Sequence, residues 1–335
     1  MKVLVTGSAG FIGSALTLRL LDRGDEVVGI DNHNPYYDPT LKQRRVQRHL
    51  QHAEYTHVKG DIADALTLRD VFAEHKPQRV VNLAAQAGVR HSIDDARSFI
   101  QSNLVGFANV LEECRNNFIE HLVYASSSSV YGANTKLPMA IHDNVNHPVS
   151  LYAATKRSNE LMAHTYSHLY KLPSTGLRFF TVYGPWGRPD MALFKFTRAI
   201  LENRPIQVYN RGNHSRDFTY IDDIVEGIVR VLDKPPVPDP TWRGDSPDAG
   251  SSQSPWRLYN IGNNRSVNLM KYISVLENAL GKCSEKEFLP MQPGDVPNSL
   301  ADVTDLARDF DYQPTTTVEE GVQRFVDWYR DYYAL

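Results

Sequence analysis

Lys2-Val-Leu-Val-Thr-Gly7-Ser-Ala-Gly10-Phe-Ile-Gly13 is the stretch that decides the fold. Lys2 to Thr6 is a short β-branched-rich run. Beyond the glycines, Phe11, Ile12, Ala15, Leu16 and Leu20 recur at helical spacing until Gly24 stops them where a helix C′ glycine belongs. Strand, glycine turn and helix, in that order, are what a dinucleotide pyrophosphate requires. The glycines let the backbone approach the phosphates, and the helix N-terminus offers unpaired N–H groups with a partial positive charge. The spacing is Gly-x-x-Gly-x-x-Gly rather than Gly-x-Gly-x-x-Gly. A second strand, Glu26 to Asp31, closes on an aspartate roughly 20 residues on. A carboxylate there accepts both ribose hydroxyls of NAD and repels the 2′-phosphate of NADP, so the expected cofactor is NAD. Asp61, after a strand-like Tyr55 to Lys59, fits either a place beside the adenine or a solvated turn.

Outward from this unit, strand-like Arg79 to Ala84 and His121 to Ser127 alternate with helical patterns at about Asp64 to His75 and Arg97 to Asn117. That alternation predicts an α/β fold, a doubly wound parallel sheet with helices on both faces. After Phe180 the rhythm changes. Tyr183 to Asp190 is rich in Gly and Pro and a helix follows over Ala192 to Glu202, which predicts a smaller, ligand-covering lobe. Ile221 to Leu232 is apolar at helical spacing and is expected to return to the main sheet. Pro235 to Pro255 reads as an exposed loop. The expected division is a nucleotide-binding domain over 1–180 plus about 215–260, a C-terminal lobe over 181–214 and 261–335, and a surface loop over 235–255. A net charge of −3 gives no reason to expect a nucleic-acid or membrane partner. Two cysteines, Cys114 and Cys283, are too few for a disulfide scaffold. With no apolar signal segment and no membrane span, a cytoplasmic setting is expected. His33, His91 and His142 read as loop residues, and no metal is expected.

Tyr152 and Lys156 lie at i and i+4 in a helical pattern that runs through Tyr166, and so share one helix face. A phenol titrates near ~10, so a tyrosine base near neutral pH needs its anion stabilised by roughly 4 kcal/mol. Lys156 and the positive nicotinamide ring supply charge for that. Tyr55 and Lys59 fit the same expression, but in strand-like sequence, where i and i+4 stand ~13 Å apart. They serve as an internal negative control. Ala125-Ser-Ser-Ser-Ser-Val-Tyr-Gly132 places four hydroxyls and no acid at a strand end.

Gly7-x-x-Gly10-x-x-Gly13, Asn82-Leu-Ala-Ala85, the serine strand end, Tyr152-x-x-x-Lys156 and Arg216-Asp-Phe-Thr-Tyr-Ile-Asp-Asp223 together resemble the extended short-chain dehydrogenases acting on nucleotide sugars, the NAD-dependent epimerase/dehydratase family. The resemblance covers nearly the whole chain, and the 235–255 loop is its main departure. It implies a Rossmann domain and a homodimer through a four-helix bundle built here from Arg97 to Asn117 and Tyr152 to Tyr170. It also implies NAD held by Gly7, Gly10, Phe11, Ile12, Gly13, Asp31, Asn32, Asp61, Ile62, Leu83, Ala84, Ala85, Asn103, Tyr152 and Lys156. A UDP-sugar is the implied substrate, with Tyr152, Lys156 and Ser127 catalytic, Arg216 gripping the diphosphate and Asp295 accepting a ribose hydroxyl. Many relatives carry Arg where this chain has Gln292.

Within the family, Ala84 to Arg90, Ser126 to Gly132 and Arg178 to Asp190 are most similar to members that invert C4 of a UDP-linked hexuronic acid through a transient 4-keto sugar. Relatives that dehydrate resemble Thr-Asp-Glu-Val-Tyr-Gly at the strand end, and relatives that decarboxylate resemble Ser-Glu-Val-Tyr-Gly. Ser129 stands where the latter have glutamate. Ser127, Ser128, Ser129 and Thr181 are then expected to hold the uronate, with Arg90 or Arg188 offsetting its charge. Epimerisation of a neutral UDP-hexose remains an alternative, against which stands Thr181, where neutral-sugar relatives more often carry Asn. Decarboxylation is a further one, against which stands Ser129.

Overall fold

Seven parallel strands form the main sheet in the order Trp256–Ile261, Ser174–Phe179, His121–Ser127, Arg79–Asn82, Lys2–Thr6, Glu26–Asp31, Tyr55–Lys59. A computed structural model describes residues 1–335. Val3, Leu4 and Val5 have no exposed surface, and alternate side chains serve opposite faces of the sheet. Val3 and Val5 pack with Leu16, Leu20, Ile224 and Ile228. Leu4 packs with Leu68, Phe72, Phe107 and Leu111. The strand is therefore apolar throughout because both its faces are covered. Strand Lys2–Thr6 has Glu26–Asp31 on one side and Arg79–Asn82 on the other, so chain order reverses across it. Its C-terminal end opens into the crevice where such sheets bind ligands.

The expected helices at 64–75 and 97–117 are present with instructive differences. Asp64 caps Ala65–His75, accepting from the N–H groups of Leu66 and Thr67. The second is built in three pieces: Ala96–Ile100, a wider π turn over Gln101–Val105, and Gly106–Asn116. A further helix, Pro39–His49, lies outside the sequence expectation. Its polar composition hides its period, although Asp38 accepting from Thr40 N–H and Pro39 in the first turn are ordinary start signals.

The second lobe holds a three-stranded sheet, in which Ser215–Tyr220 pairs parallel with Thr181–Tyr183 and antiparallel with Ser266–Asn268. A two-stranded pair, Ile206–Val208 with Lys286–Phe288, and helices Ala192–Leu201, Leu269–Leu280 and Val318–Tyr333 complete it. Two boundaries of the expected division need correction. Residues 215–220 belong to the small sheet, because their free edges find partners at 181–183 and 266–268. Thr304–Phe310, expected in the lobe, packs against Trp256–Ile261 and the helix Ile221–Asp233, on the side of the main sheet. One continuous core runs from Leu16 to Tyr329 across both parts. The 235–255 loop has neither helix nor strand and is pinned by His142, whose ring nitrogens contact Asp248 and Asp305. No helix is long and apolar enough to cross a membrane.

Candidate active site

Gly7 turns the chain at φ +72°, and a Cβ there would stand 2.7 Å from the Ala84 nitrogen. A Cβ on Gly13 would fall 2.1 Å from the Gly7 carbonyl. These positions exclude side chains because strand end, turn and helix are in backbone contact. Gly10 caps the helix Phe11–Asp22 with no side chain, so the N–H groups of its first turn face the crevice free for an anion. Asp31 is held by the N–H groups of Ala9 (3.1 Å) and His33 (2.8 Å). Asp61 accepts from Ala63 N–H (2.8 Å) and the Asn32 amide (2.9 Å), so its carboxylate is ordered by its own turn. This close backbone with a carboxylate at the neighbouring strand end fits a dinucleotide.

Tyr152 and Lys156 project from the helix Leu151–Tyr170, whose start Ser150 caps at Ala153 N–H. Lys156 is 2 % exposed and donates 2.9 Å to the Ala125 carbonyl. Burial lowers its pKa to about 8. Burial raises the Tyr152 phenol, while the Ser127 hydroxyl and the Arg188 charge pull it back. The negative control behaves as one: Tyr55 lies in a strand with its hydroxyl on His57 (3.1 Å) and Ser8 (3.4 Å). Asn103 differs from expectation, since its side chain stands behind the cavity wall. It donates to the Gln86 carbonyl (3.1 Å) and Thr155 hydroxyl (3.0 Å) and accepts from Gln86 N–H (2.8 Å). It braces the tyrosine helix against the segment that follows strand Arg79–Asn82.

The four serines separate into distinct roles. Ser126 donates 2.6 Å to Glu160, which also takes a bidentate pair from Arg178 at 2.8 and 3.0 Å with both partners fully buried. Ser127 accepts from Ser129 N–H at 3.1 Å and so caps the 3-10 turn Ser128–Tyr131. Ser127, Ser128 and Ser129 all face the cavity, with Thr181 among its walls. Arg188 is paired with Asp190, Nε to Oδ1 at 3.0 Å and Nη2 to Oδ2 at 2.5 Å, and the Tyr36 hydroxyl reaches the same carboxylate at 3.4 Å. Arg90 donates 3.1 Å to Asp295 and lies over the Tyr209 ring at 5.2 Å. Of the two arginines, Arg188 is the one whose charge acts on Tyr152, whereas Arg90 acts on Arg216. Arg216 donates to the Val296 and Pro297 carbonyls at 2.6 and 2.8 Å.

These residues share a single cavity of about 1230 Å³. Except for Asn103, every residue expected to hold cofactor or substrate lines it. Sequence reasoning missed Asn34, Tyr36, Lys42 and Asp190 on its walls. The run Asn34-Pro-Tyr-Tyr37 was the available signal, a pair of aromatics in a polar segment directly after the aspartate. His91, expected in a loop, begins the short helix His91–Asp94 and stacks on Tyr36 at 4.6 Å, with Phe99 next to it. Phe194 and Phe196 line the cavity and belong to the core as well. No group of three His, Cys, Asp or Glu side chains converges as metal ligands.

Comparison with known proteins is consistent along the whole chain. The profile of the NAD dependent epimerase/dehydratase family matches residues 3–241. Protein CapI of Staphylococcus aureus is 56% identical over 333 residues, 99% of each chain. A probable UDP-glucuronate 4-epimerase of Rhizobium meliloti (strain 1021) is 47% identical over 334 residues, 99% of this chain and 98% of its own. The crystal structure of the UDP-glucuronic acid 4-epimerase from Bacillus cereus, in complex with UDP-glucuronic acid and NAD, superposes with a TM-score of 0.89. It is 32% identical, covering 99% of this chain and 100% of its own.

Proposed function

The chain belongs to the NAD dependent epimerase/dehydratase family, and from that premise we propose that it is an NAD-dependent 4-epimerase interconverting UDP-glucuronate and UDP-galacturonate. The observation that carries the choice of sugar is the end of strand His121–Ser127. There Ser127, Ser128 and Ser129 open onto the cavity beside Tyr152, with Thr181 among the same walls and no acid at 129.

NAD, when bound, accepts a hydride from C4 and returns it. Tyr152 takes the O4 proton, with Ser127 sharing it and Lys156 supplying the positive charge that favours the phenolate. Returning the hydride to the opposite face of C4, and the proton to O4, inverts C4, which requires the keto sugar to turn over while its UDP stays anchored. Arg216 is the guanidinium suited to the diphosphate, and Asp295 to a ribose hydroxyl. A 4-keto uronate is a β-keto acid and loses CO2 when its C5–C6 bond aligns with the carbonyl π system. The hydroxyls of Ser127, Ser128, Ser129 and Thr181 hold the carboxylate away from that alignment, each hydrogen bond to the charged group contributing roughly 1.5–3 kcal/mol. Arg188 offsets the charge.

The same proposal includes a homodimer through the helices of residues 96–116 and 151–170, supported by the exposed apolar side chains of Ile100, Val105, Leu161 and Leu169. It also includes a cytoplasmic setting, with which the unpaired Cys114 and Cys283 agree. The test is proton NMR of the purified protein with UDP-glucuronate and NAD. UDP-galacturonate without CO2 or accumulated NADH is expected. A pentose product, or turnover of UDP-glucose alone, would overturn the assignment.

A further inference from the structure

We propose that Arg45 is a positioning residue that couples occupancy of the NAD site to the placement of Arg188. The proposal rests on the NAD reading above but does not depend on which sugar is turned over.

Arg45 has no exposed surface, and every acceptor it finds is neutral. A guanidinium buried without a carboxylate is costly to desolvate, so its surroundings must be specifically arranged. One terminal nitrogen donates to the Ala9 carbonyl at 3.0 Å and the Tyr37 hydroxyl at 2.8 Å. The other donates to the Trp186 and Gly187 carbonyls at 2.5 and 3.2 Å. Ala9 belongs to the glycine turn, and its N–H is held by Asp31. Trp186 and Gly187 directly precede Arg188. A single rigid, planar group therefore spans the phosphate-binding turn and the turn that presents the substrate-side arginine.

The second turn needs support from outside. Trp186 sits at φ +62°, a left-handed conformation that an L residue adopts only when its surroundings hold it there. Within the turn, only the Gly187 N–H to Gly184 carbonyl bond (3.1 Å) closes it. The helix Pro39–His49 holds it from the other side, with Arg45 on its carbonyls and the Arg48 guanidinium 4.7 Å over the Trp186 ring. That helix is tied to the glycine-turn helix by a contact between Ser14 Oγ and His49 Nε2 at 2.8 Å. Arg45 lacks an anion, and a diphosphate on the glycine turn brings negative charge to that side of it. Seating the cofactor fixes Ala9 and Arg45, and through Arg45 the carbonyls that aim Arg188. A lysine retains the charge but has no fork to hold both sides.

The test is hydrogen exchange of the whole protein with and without saturating NAD, following peptides covering 7–13 and 184–191. In the unmutated protein NAD is expected to slow both segments, 184–191 by about 5-fold or more. In Arg45→Lys the protection of 7–13 remains and that of 184–191 disappears. Arg45→Gln, which also breaks the fork, replaces it if Arg45→Lys does not fold. Protection of 184–191 persisting in the variant would overturn the coupling. So would protection lost from both segments, which would make Arg45 a cofactor-loop residue only. In the unmutated protein, protection of 7–13 without 184–191 overturns the coupling alone. Protection of neither segment overturns the NAD reading and the coupling with it.

Discussion

Tyr152 and Lys156 illustrate how burial assigns opposite tendencies to two neighbours. It raises the phenol and lowers the ammonium, the latter to about 8. Lys156 is therefore charged below about 8 and loses its charge above, while the phenolate gains population as pH rises. The expected kcat/KM profile between pH 6 and 10 climbs and then levels off near 8, because above that point each gain in phenolate is offset by an equal loss of lysine charge. Lys156→Met should lose that break, rising throughout the range, and lose about 100-fold in rate. Tyr152→Phe should leave no measurable turnover, and unchanged turnover would exclude the proposed base. Ser129→Glu places a second negative charge beside the uronate. At an effective dielectric of 20 such a pair at 4 Å repels by about 4 kcal/mol, so KM for UDP-glucuronate should rise about 10-fold or more, with UDP-glucose little changed. Steady-state kinetics on both sugars measures this. The chemistry-bearing residues were legible because their spacing is local: i and i+4 on one helix, three glycines in one turn. Asp190 was not, because its significance lies in joining its near neighbour Arg188 to Tyr36, which is 154 residues away in sequence.

The elements that frame the site rest on buried polar pairs as much as on apolar packing. Glu160 on the tyrosine helix holds Arg178 of the neighbouring strand and Ser126 of the serine strand, with both charges fully buried. Removing one partner strands the other, so Glu160→Ala should cost about 3–5 kcal/mol in denaturant unfolding, and a Glu160→Met/Arg178→Met double variant should recover much of it. The cysteine-poor, strand-and-helix rhythm gave the parallel sheet directly, since apolar runs buried on both faces read alike in any order of pairing. Neither the π turn at 101–105 nor the helix Pro39–His49 was readable in that way. The first carries Asn103, whose partners Gln86 and Thr155 are distant in sequence, and the second has a surface too polar for its period to register. Four of the small lobe's five strands have only three residues, below the length at which alternation is distinct from turn sequence.

At the scale of the whole molecule, one core joins both lobes, and one long irregular segment, 235–255, carries a charged anchor at His142. Burial works against a charged His142, but Asp248 and Asp305 outweigh it and raise its pKa. Its contribution to stability is therefore full below the ordinary imidazole value of about 6.5 and is lost as pH rises through the higher folded value. Proteolysis within 235–255 should quicken between pH 6 and pH 8.5, and His142→Gln should remove the difference. Sedimentation should show a dimer that Leu161→Asp converts to monomer, provided the exposed apolar row on residues 151–170 is the contact. The loop has a practical use that follows from its anchoring. Its tip, Arg243 to Pro247, is exposed, and no residue of 235–255 lines the cavity. Exposed tips of this kind tolerate added chain. A peptide epitope or fluorescent reporter spliced between Gly244 and Asp245 should leave catalysis intact, giving an attachment point for surface immobilisation or single-molecule observation of a working enzyme.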